Sequence, residues 1–289
     1  MIADNFENVY CIDTLVNGME NFLSCFVVKD EIVVLSDPGP PCVADEVVKS
    51  LKSLDVGLDY IAVSHVHVDH AGAVSILVEE FDSKVIAHPK AVKHLVNPEK
   101  LWKSSLEALG KVADIYGKPD PIDASKVIPV DNGERFELGE ETMRIVYTPG
   151  HAVHHISFYL EGSGVLLSGE SIGMYLKDRL ILTSPIPPLR KEDVMKTFSV
   201  IEELNPVVFA YCHFGFSKPT IEKVRNKTER WIEIARGVHE KGGGIGELNE
   251  KLMMEDEEYR YLCEYYKDNL VFSYPYRTVL NGLLFAVSE

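Results

Sequence analysis

Short apolar runs rich in β-branched residues recur along the chain up to about residue 217, separated by polar turns. Runs of this length and composition predict buried strands. They fall at residues 22–29, 32–36, 60–63, 84–87, 142–147, 156–160, 164–168 and 207–210. The segment 71–80 has a helical pattern and predicts a helix beginning just after His70. Beyond residue 217 the pattern changes. Residues 219–238 predict a long helix ended by Gly242-Gly243-Gly244, and 248–254 and 257–268 predict two more, the second strongly acidic. The apolar stretch 276–287 is expected to pack back on the body. The pattern therefore predicts a mixed α/β body over residues 1–216 and a helical C-terminal extension over residues 217–289.

A length of 289 residues suits one large domain with a smaller appendage. No apolar stretch approaches the length of a membrane span, so no membrane partner is expected. Residues Met1-Ile2-Ala3-Asp4-Asn5 lack a basic region followed by an apolar run, so no signal peptide is expected. Cys11, Cys25, Cys42, Cys212 and Cys263 are odd in number and lack CxxC spacing. Reduced thiols and a cytoplasmic location are the expectation. The formal net charge of -16 repels phosphate backbones and argues against nucleic-acid binding. The absence of glutamine points to a thermophile, where labile amides are depleted.

The chemistry concentrates in Ser64-His65-Val66-His67-Val68-Asp69-His70, where three imidazoles and a carboxylate fall within six residues. Borderline-soft divalent metals favour this donor set. The preceding run, 60–63, is a predicted strand, so the cluster lies on a strand-to-helix loop. His65 and His67 alternate and share one side of an extended chain. Asp69 and His70 fall near a helix start, where free backbone N–H groups steady a carboxylate. Further ligand types follow three other predicted strands: His151 in Thr148-Pro149-Gly150-His151, Glu170 in Ser168-Gly169-Glu170, and His213 in Tyr211-Cys212-His213-Phe214-Gly215. Together these supply enough donors for two metals.

In that order, the His-x-His-x-Asp-His, Pro-Gly-His, Gly-acid and Cys-His-Phe-Gly motifs resemble the metallo-β-lactamase superfamily over roughly residues 9–216. The segments 88–102 and 184–188 are similar to an archaeal and bacterial subgroup of its glyoxalase II-like branch. The resemblance implies an αββα four-layer sandwich. It implies that His65, His67 and His151 hold one metal and that Asp69, His70 and His213 hold the other. Glu170 stands where the family has a bridging aspartate, and its carboxylate reaches about 1.5 Å further. Asp37 matches a position that orients a ligand imidazole. The cofactors implied are two divalent ions, zinc first, with iron or manganese as alternatives.

Such a site implies hydrolysis of an ester-like bond in a small molecule (a thioester, lactone or phosphotriester) by metal-bound hydroxide. Asp69 would hold the hydroxide proton. Tyr175, five residues after Glu170, is the second catalytic candidate, because lactonase branches place a tyrosine shortly after the bridging carboxylate. Ser171-Ile172-Gly173-Met174-Tyr175 replaces the Cys-Gly-Arg segment by which glyoxalase II enzymes contact glutathione. The alternative is a mononuclear iron persulfide dioxygenase using His65, His151 and Glu170 as a facial triad. His88, His94, His154 and His155 are assigned to structure. The helical tail has three readings: a cap on the active site, a homodimer interface or a cover for the sandwich edge. Ser184-Pro185-Ile186-Pro187-Pro188 is expected to shape the pocket rim, and Tyr274, Tyr276 and Arg277 to line a pocket or an interface.

Overall fold

Alternate residues of the central strands are buried on opposite faces, which is what a sheet covered on both sides requires. The structure, a computed structural model, describes residues 1–182, 191–218 and 221–288, the side chains at 273–276 excepted. One sheet comprises β1 (Ile2–Phe6), β2 (Val9–Asp13), β3 (Ser24–Val28), β4 (Val34–Ser36), β5 (Tyr60–Ala62), β6 (Lys84–Ala87) and β7 (Val127–Pro129), paired in that order. Strands β1 to β4 are antiparallel, and β4 to β7 are parallel.

The second sheet contains β8 (Arg135–Glu137), β9 (Thr142–Tyr147), β10 (Ile156–Leu160) and β11 (Val165–Gly169). A separate hairpin, β12 (Met174–Leu176) with β13 (Arg179–Ile181), intervenes before β14 (Val208–Tyr211) and β15 (Gly215–Ser217) complete that sheet. Its order is β15-β14-β11-β10-β9-β8.

Phe26, Val34, Ala62 and Ile86 of the first sheet meet Ile145, Phe158 and Leu167 of the second in a core between the sheets. Their sequence neighbours Leu35, Ile61 and Val85 point the other way, into a larger core. Helices close both outer faces and complete the αββα architecture. They are α1 (Ala44–Ser53), α2 (Val68–Ala71), α3 (Val74–Phe81), α4 (Val92–Val96), α5 (Glu99–Leu109), α6 (Lys111–Tyr116) and α7 (Lys191–Leu204). The C-terminal region is helical: α8 (Ile221–His239), α9 (Ile245–Glu255), α10 (Glu257–Tyr265) and α11 (Leu270–Ser288). Trp231, Leu248, Leu262 and Leu280 join the larger core, so these helices pack as part of the body. Among the described residues no helix is long and apolar enough to cross a membrane.

One helix differs from the sequence pattern. The single helix expected over 71–80 is two, and Asp69 and His70 lie inside the short α2. The Ala73 N–H donates to the Gly39 carbonyl rather than within the helix, which interrupts the ladder. A Cβ at Gly72 would stand 2.5 Å from Pro41 Cδ and 2.4 Å from the Val68 carbonyl oxygen, so only glycine allows this crossing. The Ser184–Pro188 segment lies outside the described residues, as do the side chains of Tyr274 and Tyr276; Arg277 is exposed.

Candidate metal centre

The His-rich loop leaves β5 and enters α2, and neighbouring segments hold both of its sides. The Ser64 N–H donates to Asp37 Oδ1 at 2.8 Å, and the Val66 N–H donates to His154 Nε2 at 3.1 Å. His67 is the extended N-cap residue of α2, so the chain turns there and presents His65 and His67 together. His65 Nδ1 is engaged by Ser64 Oγ at 2.9 Å, which leaves Nε2 for the centre.

Four side chains from three loops converge. His67 Nδ1 lies 2.9 Å from His65 Nε2 and 2.9 Å from His151 Nε2. Glu170 Oε2 lies 2.7 Å from His151 Nε2 and 3.5 Å from His65 Nε2. One donor atom from each of these four residues falls within 4.8 Å of all the others. A second group is adjacent. His70 Nε2 lies 3.6 Å from Asp69 Oδ2, and His213 Nε2 lies 3.7 Å from the same oxygen. Glu170 faces both groups, with Oε2 3.7 Å from His70 Nε2 and Oε1 3.8 Å from His213 Nε2. The extra methylene of glutamate thus does not carry the carboxylate out of reach of either group.

Electrostatics prepares these groups as ligands. Burial holds His65 well below the usual imidazole range and His67 at about 3, so both rings are neutral at physiological pH. Burial opposes the charge on Glu170, but His151, His65 and His213 together hold the carboxyl well below its ordinary value. Burial likewise opposes the charge on Asp69, yet His70 and His213 bring it to about 2. His213 Nδ1 donates to the Phe22 carbonyl at 3.1 Å, which turns Nε2 inward.

This donor set fits divalent ions. A tetrahedral ion with nitrogen ligands at about 2.0–2.1 Å separates them by roughly 3.3 Å, close to the spacings of the first group. Among the described residues neither ring nitrogen of buried His70 has a hydrogen-bond partner, and nor has Asp37 Oδ2, 4.0 Å from His70 Nδ1. Buried polar atoms normally have partners. A cation beside Nε2, with Asp37 behind the ring, satisfies these.

Two residues at the centre had no role there in the sequence reading: Cys212, and His155, which was assigned to structure. Cys212 groups with His70 and His213 within the same 4.8 Å limit, although burial pushes its thiol well above the ordinary value and keeps it protonated. Its position next to His213 was the available signal. His155 positions Glu170. It engages Thr148 Oγ1 at 2.8 Å, and its Nε2 accepts the Glu170 N–H at 3.0 Å. The intervening Gly169 has φ +55°, and a Cβ there would stand 2.6 Å from His155 Nε2. His88 and His94 lie away from both groups.

Tyr175 stands apart. Its neighbours on the hairpin, Met174 and Ile181, line the cavity above the centre, whereas Tyr175 does not. Strand alternation sends its ring to the other side, where it stacks on Tyr211 at 5.5 Å. Its backbone N–H donates to the His213 carbonyl. Tyr175→Phe is therefore expected to change kcat by less than about twofold, an order set by loss of one peripheral hydroxyl. A tenfold loss in steady-state turnover would return this hydroxyl to the reaction.

The cavity has a volume of about 250 Å³, and His67, Asp69, His151, Glu170 and His213 form its floor. The C-terminal region contributes Phe272, Thr278 and Val279 to its walls.

The sequence profile described as the metallo-beta-lactamase superfamily matches residues 20–213. A metallo-beta-lactamase fold-containing protein of Sulfurisphaera tokodaii is 33% identical over 203 residues, covering 67% of this chain and 75% of that protein. The hydroxyacylglutathione hydrolase of Rhodobacter capsulatus is 29% identical over 156 residues, 54% of this chain, and the match spans only 48% of that enzyme. The crystal structure of an archaeal metallo-beta-lactamase superfamily protein from Sulfolobus tokodaii superposes with a TM-score of 0.68 at 29% identity. That superposition covers 78% of this chain and 86% of the other. With the profile spanning more than half of the chain and all of its ligand loops, this chain belongs to the metallo-β-lactamase superfamily.

Proposed function

We propose that the chain is a binuclear metallohydrolase that cleaves an ester-like bond, a thioester or lactone first, in a small molecule. The observation that carries this reading is the placement of Glu170. Its two oxygens face both histidine groups at the floor of one cavity. His65, His67 and His151 would hold one ion, and Asp69, His70 and His213 the other, with Glu170 between them. Bound there, divalent ions supply Lewis acidity and a water of lowered pKa, and zinc is the ion these donors suit first.

The chain's own residues do the rest. Asp69 lines the cavity and stays ionised near neutrality, so its carboxylate can accept a hydrogen bond from the attacking water and hold that proton. The Phe22 carbonyl fixes the His213 ring, and Asp37 stands behind His70. Residues 1–216 form the catalytic body, and 217–289 shape the substrate side of the cavity. The similarity to a hydroxyacylglutathione hydrolase supports a thioester-type bond.

Metal content by mass spectrometry, joined to a panel of thioesters, lactones and phosphotriesters, tests the proposal. Two ions per chain and turnover that is lost with a chelator and restored by zinc are expected. One iron per chain, with oxygen consumed on a persulfide, would replace the hydrolase by the dioxygenase reading.

A further inference from the structure

Above its floor the cavity is almost wholly apolar. Helix α5 contributes Leu101, Ser105 and Leu109, which lie at i, i+4 and i+8 on one face. Helix α11 contributes Phe272 and Val279, which are seven residues apart on one face, and the β12–β13 hairpin adds Met174 and Ile181. Among the described residues, hydroxyls enter the lining only through Ser104, Ser105 and Thr278, and Ser105 Oγ is committed to the Leu101 carbonyl at 3.1 Å. Among the described residues no lysine or arginine lines the cavity walls. A carboxylate or phosphate at the far end of the bound group would be buried against these apolar walls with no cation among the described lining residues to pair with.

We propose that this cavity selects an uncharged, apolar acyl chain of up to roughly eight carbons, with the scissile carbonyl at the floor. The length follows from volume. A methylene takes about the same share of space as a water molecule, roughly 30 Å³, against about 250 Å³ in the cavity. That volume is below the usual range for sites of drug-sized ligands. The assignment rests on the hydrolase reading for the position of the carbonyl, but the apolar selectivity of the walls is independent of it. It also places the glutathione or other thiol part of any thioester outside the cavity, because its charges find no partner within.

The first measurement is kcat/KM across a series of neutral acyl esters of one leaving group, from acetyl to dodecanoyl. Each added methylene is expected to raise kcat/KM about fourfold, the rate equivalent of burying one such group, until the chain reaches about eight carbons. Succinyl, which places a carboxylate in the cavity, is expected to react at least about a hundredfold more slowly than butyryl, from an unpaired charge in a desolvated site. Val279→Phe and, at the rim, Ala108→Trp are each expected to shorten the optimum by two or more carbons. Two variants at different depths keep the test valid if one of them fails to fold.

The second measurement is calorimetric titration of the metal-loaded protein with 1-octanol and with 1-butanol. Octanol binding that is at least tenfold tighter than butanol, and weaker in Val279→Phe, is the expected result. Rates independent of chain length, or succinyl as fast as butyryl, would overturn the assignment while leaving a working hydrolase. Octanol binding without turnover of any ester by fully metal-loaded protein supports the apolar selectivity and instead overturns the hydrolase reading.

Discussion

Replacing His67 with alanine is expected to lower kcat/KM on the best ester substrate by at least about a thousandfold, since a catalytic metal supplies several kcal/mol of transition-state stabilisation. The size follows from where the ring stands. Its Nδ1 is within 2.9 Å of both His65 and His151, so it shares a centre with each of them. Its removal opens the first group while Asp69, His70 and His213 remain in place. Metal content should therefore fall by about one ion per chain, with the second retained, if the ligands divide as proposed. The ring is only partly buried and lines the cavity, so the fold should survive the substitution. Circular dichroism checks that point. Activity within tenfold of the parent, with the metal count unchanged, would remove His67 from the centre.

The second large effect is on stability. Trp231→Ala is expected to destabilise the protein by about 3–5 kcal/mol, the usual range for deleting a buried aromatic side chain. Trp231 is fully buried on α8 and packs edge-on against Tyr259 of α10 at 5.2 Å. Its indole Nε1 donates to Asp256 Oδ2 at 2.7 Å, and Asp256 in turn caps α10 through the Tyr259 N–H. Truncation leaves a large void and takes one donor from a buried carboxylate, while the Lys227 ammonium keeps its place at 2.9 Å. The melting temperature should fall by about 10 °C. The transition should remain single, because α8 to α11 share the larger core with the sandwich. A separate early transition would show instead that residues 217–289 fold independently of the body. Because α11 lines the cavity, the same variant tests whether the tail supports the site: KM should rise even below the new melting temperature.

The chain pattern carried much of the fold. Runs such as 84–87, 142–147 and 156–160 became strands with those bounds, because their mostly apolar, β-branched and aromatic residues suit a pleated, largely buried surface. The strands β1, β2, β7, β8, β12, β13 and β15 were not among the predicted runs. The short ones lack a longer apolar run around them, unlike β4 and β5, and pairing with a neighbour defines them. The division of 71–80 into α2 and α3 was hidden for a similar reason. It depends on the Gly39 carbonyl and on Pro41, which lie some thirty residues earlier in the chain.

The candidate centre divides along the same line. Local density of imidazoles and carboxylates, and the habit of strand ends to carry function, singled out His65, His67, Asp69, His70, His151, Glu170 and His213 from one sequence. Ligand type is a property of the residue, and a short spacing already limits what a loop can present, so these were determined by the chain alone. Which atoms face one another was decided by tertiary structure. Only the packing of the first sheet, which carries β5, against the second, which carries β9, β11 and β14, sets Glu170 between two groups, turns Tyr175 toward Tyr211, and brings Cys212 and His155 to the centre. The walls of the cavity come from α5, the hairpin and α11, which are separated by up to about 180 residues. A cavity is a relation between surfaces distant in sequence, and neither periodicity nor spacing encodes it.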